Sequence, residues 1–250
     1  MMLMTKLLIV PLVVLSFWGS VTMIGLVDPF FLPGPFATMV GFIDLFKEGI
    51  LSDILSTLSR VVSSFLIAVM FGLPLGIALG SSRNVYESFE FTIDFFRSIP
   101  ATAMFPLFML VFGIGDWSKI LVAALSAGLT ILFNTSYGVF NSCMARVDSA
   151  RLIGASRFQV FRHIIFWEAL PQSFIGMRTG LSLSLIVIVV TEMFIGTNVG
   201  IGKRIIDLQY VYNIPGLFAA IFITGLIGYL MNAVFGMLER RIVHWSGKFS

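Results

Sequence analysis

The chain has little charge. Asp, Glu, Lys and Arg make up 12% of its 250 residues, roughly half the share found in soluble domains, so its solvent is lipid. It has one cysteine, Cys143, which excludes an internal disulfide. With only two histidines, the well-separated His163 and His244, a Cys/His zinc cluster is excluded as well. A net charge of +3, scattered along the chain, does not build the basic patch that nucleic acid requires. What abounds is apolar, at 58% of residues. The expectation is an all-α polytopic membrane protein with lipid around it.

Taken in order, Leu7–Val27 is uncharged over a bilayer's length and lacks a small-x-small cleavage site, so it reads as a retained span, with Pro11 near its start. Prolines then delay any helix until about Phe36. Phe36–Phe46 has the spacing of a short interfacial helix, with an ordinary loop as the alternative. Leu51–Gly80 predicts one long helix with a wet N-terminal third; Gly72, Pro74, Gly76 and Gly80 allow close packing or a bend. Residues 81–87 read as a polar loop. Phe89–Ile114 carries Glu90, Asp94 and Arg97, then Pro100 and Pro106, two prolines that should break it into pieces. The Asp94–Arg97 pair either anchors this helix at the headgroups or walls a pathway. Ile120–Ala145 spans. Phe174–Ile195 spans again, with Arg178 and Glu192 about 21 Å apart along its axis. Gly196–Gly216 reads as an outer loop whose Lys203 or Arg204 could pair with Glu192. Leu208–Leu238 is the sixth span, opened by Pro215.

Six spans put both termini on one side. Lys6, Arg83, Arg146, Arg151, Arg157, Arg162, Arg178, Arg240, Arg241 and Lys248 make ten cations there, against four opposite, Lys47, Lys119, Lys203 and Arg204, with Arg60 and Arg97 unassigned. The excess predicts cytoplasmic termini. The expected organisation is a single permease-like domain over residues 1–250: a first span and outer segment to residue 50, a core over 51–240 and a tail from 241.

The insert Asp148–Pro171 is polar and basic between apolar runs. Asp148 is placed to N-cap a helix from Ser149. Ile153, Phe158, Phe161, Ile164 and Ile165 supply apolar faces, and Arg151, Arg157, Arg162 and His163 the wet ones. Gly154 lets two short helices meet at an angle, and Pro171 should stop the segment. Such a hairpin suits docking into a partner's groove or lying on anionic lipid.

The insert resembles the EAA loop of ABC importer permeases, whose pattern is Glu-Ala-Ala, three residues, Gly, nine residues, Ile-x-Leu-Pro. Here stand Asp148-Ser149-Ala150, Gly154 and Ile164, with Phe166-Trp167 in place of the first Leu-Pro and Leu170-Pro171 following. Phe96–Ile120, Thr57–Val61, Glu192-Met193 and the terminal Leu238–Trp245 look like the nitrate, sulfonate, taurine and bicarbonate branch. The resemblance implies a type I importer permease fold in a prokaryotic inner membrane, with no chemistry and no cofactor on this chain. ATP and Mg would belong to two cytoplasmic ATP-binding subunits. A second permease copy, giving a homodimer, and an extracytoplasmic substrate-binding protein would complete the assembly. The coupling helix would be roughly Ala155–Arg162, with Asp148, Ala150, Gly154, Ala155, Arg157, Phe158, Phe161 and Arg162 at the ATPase. Arg97, Pro100, Pro106 and Glu192 would line or gate the pathway. The implied cargo is a small anion (nitrate, bicarbonate, sulfonate or taurine), or alternatively a neutral aromatic or pyrimidine-type compound. A membrane-embedded enzyme using Glu192, Asp94 and the histidines is the rival class, along with a channel or proton-coupled carrier. The spans carry no nucleophile–base spacing to support the enzyme.

Overall fold

The structure, a computed structural model, describes residues 2–142, 144–194 and 196–246, with the side chains of 2–8, 83, 144 and 246 left aside. Cys143, Ile195 and Lys248, and the side chains of Lys6 and Arg83, therefore lie outside the described residues. Those residues are helical, without a strand. The helices are α1 (Met2–Ile24), α2 (Pro35–Lys47), α3 (Ile50–Gly80), α4 (Arg83–Ser98), α5 (Ala101–Phe112), α6 (Asp116–Phe140), α7 (Met144–Leu152), α8 (Arg157–Val160), α9 (Phe166–Glu192), α10 (Ile201–Tyr210) and α11 (Ile214–Ile242).

Among the described residues, four helices are long and apolar enough to cross a membrane: α3, α6, Arg157–Glu192 and α11. The α4–α5 pair, bent by 93° at its break, makes a fifth if counted as one span, and Ile9–Ile24 of α1 is a shorter apolar helix. The six spans expected from the sequence thus become four, a bent pair and a short first helix.

Several sequence expectations shift. The loop expected at residues 81–87 is only Ser81–Ser82, because α4 begins at Arg83. Pro100 does break the chain, with Ile99 and Pro100 extended between α4 and α5. Pro106 stays inside α5, where it removes only the hydrogen bond that the Thr102 carbonyl would accept. Pro171 likewise sits inside α9 and does not end the insert. The span expected to reach Ala145 ends at Phe140, and Gly196–Gly216 is no plain loop, because α10 fills most of it.

The chain forms two compact units. The first is Met1–Ser56 with Asn198–Ile227. In it Trp18 donates to the Pro33 carbonyl (3.1 Å) and stacks on Phe218 and Phe222. Asp53 accepts from the Gly200 amide and from Arg204 Nε, both at 2.9 Å, fixing the start of α10. Lys203 pairs with Asp207 in the same helix.

The second unit is Thr57–Thr197 with Gly228–Ser250. Its core is α6 against α9, both mostly buried. Helix α3 packs on α6 through a row of glycines. A Cβ on Gly72 would come within 2.7 Å of the Gly128 carbonyl oxygen, and one on Gly76 within 2.7 Å of the Leu132 oxygen. Backbone thus meets backbone, and Ser136 Oγ donates to the Gly76 carbonyl at 3.0 Å. Small residues at every turn permit this approach where lipid offers no hydrophobic drive for association.

Candidate functional site

The insert is built as two helices and a rigid corner. Asp148 does not cap a helix: it lies in the middle of α7 and faces Arg151 at 3.9 Å. Helix formation here starts before Asp148, which leaves its carboxylate as one member of an i,i+3 pair. Ala150 is on the same helix, which ends at Gly154 with φ +87°. The Gly154 amide donates to the Arg151 carbonyl and the Ala155 amide to the Ala150 carbonyl, both at 3.0 Å. That is a Schellman cap, and its left-handed residue is the glycine. Two residues on, Ser156 Oγ accepts from the Gln159 amide while Gln159 Oε1 accepts from the Ser156 amide, a capping box that starts α8. Helix end and helix start are both satisfied, so the corner has little freedom.

The corner presents apolar side chains to the outside. Leu152 and Ile153 are each 87% exposed and Phe158 67%. Arg157 and Arg162 are exposed around them, whereas Phe161 is half-buried and Val160 is buried. Leu152 was not singled out from the sequence; its place next to the Gly154 turn was the available signal. Helix α8 does not stand alone as a coupling helix over Ala155–Arg162. It runs through a π-helical turn, Phe161–Ile165, into α9 as one 36-residue helix, Arg157–Glu192. Arg146 to Glu168 (2.8 Å) ties α7 to the start of α9. Trp167 meets Trp245 edge-on at 5.3 Å between centroids.

At the break, Arg97 pairs with Asp94 (3.3 Å) and lies 3.9 Å over the Phe133 ring, a cation–π contact. A cavity of about 290 Å³ opens there, lined among others by Arg97, Pro100, Met104, Ser126 and Thr130. Pro106 and Glu192 are not among its lining residues.

Glu192 belongs to a buried charge cluster instead. Its carboxylate, 0% exposed, accepts from Arg60 Nη1 at 2.6 Å and from Thr57 Oγ1 at 3.0 and 2.9 Å. Arg60 Nε also donates to Asp116 Oδ1 at 2.8 Å. Lys119, equally buried, lies 3.8 Å from Asp116 and donates to the carbonyls of Gly115 and Gly196 at 3.0 and 2.9 Å. Two cations and two carboxylates from α3, α6 and α9 balance one another. The expected partners of Glu192, Lys203 and Arg204, are held by Asp207 and Asp53. The wet third expected of α3 holds at Ser52 and Ser59, which are exposed, and fails at Asp53, Thr57 and Arg60, which are buried. Among the described residues no group of His, Cys, Asp and Glu could hold a metal.

The family described as "Binding-protein-dependent transport system inner membrane component" matches residues 72–244. The taurine transport system permease protein TauC of Escherichia coli (strain K12) is 30% identical over 94% of this chain and 88% of its own length. The nitrate import permease protein NrtB of Synechocystis sp. is 32% identical over 78% and 71%. Among solved structures, the inward-facing MetNI methionine ABC transporter gives a TM-score of 0.68 at 20% identity, covering 77% of this chain and 95% of that one. The fold is that of type I ABC importer permeases.

Proposed function

The chain belongs to the family of binding-protein-dependent transport system inner membrane components, permease subunits rather than enzymes, and from that membership we propose that it forms the membrane pathway of an ATP-driven importer for a small oxyanion. It is a multi-pass membrane protein, and its family implies an ATPase and a substrate-binding protein as partners. The finer assembly is part of the proposal: one permease domain over residues 1–250, paired with a second copy as a homodimer, with two ATPases below and the binding protein outside. ATP and Mg belong to the ATPases. Counting α1 and the bent pair, six spans leave both termini cytoplasmic, supported by the ten-to-four excess of cations on that side.

The observation that carries the reading is the corner at Gly154, apolar at its tip and capped on both sides. Such a tip suits a groove in an ATPase, with Asp148, Ala150, Gly154 and Ala155 shaping the corner and Arg157 and Arg162 at its rim. Phe158, Leu152 and Ile153 fill the groove, and Phe161 backs them. Closure of the ATPase pair then biases the permease between inward-open and outward-open arrangements through its differential hold on each. For the cargo, taurine and nitrate are what the two named relatives carry. Arg97 beside Pro100 gives an anion a cationic wall in the broken span.

The test is to isolate the tagged chain from membranes co-expressing its cognate ATPase and binding protein, then measure uptake of taurine and nitrate into vesicles. Co-isolation of the ATPase and ATP-dependent uptake of one of these anions is the expected result. A chain that never retains an ATPase, with or without ATP, overturns the reading.

A further inference from the structure

Arg60, Arg97 and Arg178 each stand within a helix of the second unit, and the first two have counter-charges. Arg60 is paired with Glu192 and Asp116, and Arg97 with Asp94. Arg178 is different. Its side chain is exposed, and its guanidinium has no hydrogen-bond or ion-pair partner among the described residues. It lies on α9 fourteen positions before Glu192, about 21 Å along the axis, toward the side of the cation excess. A guanidinium without a partner on a membrane-spanning helix faces a water-filled cavity or an opposite charge.

A cavity is there. It measures about 380 Å³, lies between α9 and α11, and is lined by Arg178, Tyr229, Asn232, Gly236, Glu239 and Arg240 among others. That is the size of a small-ligand site. Asn232 commits its amide to Ser182 Oγ and the Gly228 carbonyl, both at 3.0 Å, so it braces α11 against α9 and leaves donation into the cavity to others. Glu239 is buried, and Arg240 already has an interaction of its own. Two guanidinium groups against one carboxylate leave the cavity one positive charge in excess, and Arg178 is the group that carries it. Tyr229 lines the same cavity and brings a hydroxyl able to donate, and Gly236, where a Cβ would meet nothing within 4 Å, leaves room above the helix backbone.

We propose that this cavity is an oxyanion site, in which Arg178 holds a phosphate-, sulfate- or sulfonate-type group. The planar fork of a guanidinium matches two oxygens of such a group at once. The same chemistry has two sources. One is the phosphodiester of an anionic phospholipid reaching in from the leaflet. The other is a soluble oxyanion in transit, and that source rests on the permease reading above.

The test uses the complete transporter, permease with its ATPase, in a non-ionic detergent. The probes are inorganic sulfate and phosphatidylglycerol, each titrated while the thermal unfolding midpoint is followed, with native mass spectrometry counting retained lipid. The expected result is a saturable rise with at least one probe. Arg178→Gln should weaken the apparent affinity for that probe by about tenfold or more, the loss of a charge-assisted hydrogen bond, and Arg178→Lys should fall between. Response to sulfate identifies the soluble ion as occupant; response to phosphatidylglycerol alone identifies the lipid headgroup. Absence of a saturable response to both probes, or equal responses in wild type and Arg178→Gln, overturns the site. Should Arg178→Gln not assemble with its ATPase, Tyr229→Phe gives the same comparison, with an expected weakening of about threefold and the same overturning outcome if it equals wild type. Co-isolation of the ATPase is scored separately, so loss of this site leaves the permease reading standing.

Discussion

Arg60 and Glu192, 132 positions apart in the chain, meet at 2.6 Å in a place where Glu192 has no exposed surface. Removing Arg60 takes from the buried Glu192 carboxylate its cation, which costs about 3–5 kcal/mol, whereas removing Glu192 leaves Arg60 its bond to Asp116. Arg60→Met should therefore lower the unfolding temperature of the purified protein sharply and Glu192→Met by less. The double variant should lose less than the two single losses combined, since it leaves no carboxylate buried without its cation. Additive losses in a double-mutant cycle would show that the pair is not coupled.

Gly154 makes a second, more discriminating case. A Cβ there would meet nothing within 4 Å, yet the residue sits at φ +87°. The difficulty with a substitution is therefore backbone strain of about 1–2 kcal/mol, not crowding. Gly154→Ala and Gly154→Leu should weaken ATPase retention by similar amounts, and Gly154→Asn, which tolerates this conformation, by less. A graded loss that follows side-chain size in a pull-down would contradict the argument.

The tip residues should matter for docking alone. Ile153→Glu and Phe158→Glu place charges on side chains that already face outward, so the isolated chain should keep its unfolding temperature within a degree or two. Retention of the ATPase should fall by at least about tenfold, the effect of losing an interface anchor. Unchanged retention in both variants would remove the tip from the interface.

Arg97 and Asp94 separate a pathway role from a merely structural one. If the pair only steadies α4, Arg97→Gln and Asp94→Asn should reduce anion uptake equally. The cationic wall proposed for the cavity predicts instead a drop of about tenfold for Arg97→Gln and little change for Asp94→Asn. Initial uptake rates at sub-saturating cargo decide between them.

The glycine row between α3 and α6 predicts sensitivity to a single methyl group or more. Gly76→Ala would force a side-chain atom to 2.7 Å from the Leu132 carbonyl oxygen, and an overpacked contact costs about 1–3 kcal/mol. Gly225→Ala, on α11 where a Cβ meets nothing, is the control that should be silent. Detergent unfolding temperatures of the two variants measure the difference.

Much of this architecture could be read from residues in order. Long apolar runs gave α3 to within one residue and α6 and α11 to within six, since lipid demands both length and apolarity. Pro100 marked its break, and Gly154 its corner. Local rules misjudged other places where tertiary packing decides. Pro106 and Pro171 sit inside helices held by their neighbours. Thr57 and Arg60 looked wet because a sequence shows polarity and not what lies opposite; Glu192 on a distant helix is what faces them. Charges of opposite sign in two apolar spans were the one hint that Arg60 and Glu192 are partners. Lys119 offered less warning, because its acceptors are backbone carbonyls, which any residue can supply.

The helix Arg157–Glu192 joins the exposed corner to the buried charge cluster without a break in its chain of turns. Beyond its π-helical turn it runs 27 residues to Glu192, about 40 Å at 1.5 Å per residue, so a tilt of 10° about that turn carries Glu192 about 7 Å. Its widened turn at Phe161–Ile165 is the point of least regular geometry, close to the cytosolic end of the proposed topology. A force applied at Phe158 would thus find its hinge near the handle and its longest arm toward Glu192. Small angular work at one side of the bilayer becomes large travel at the other, and the ionic cluster at the far end must ride that motion intact or come apart with it.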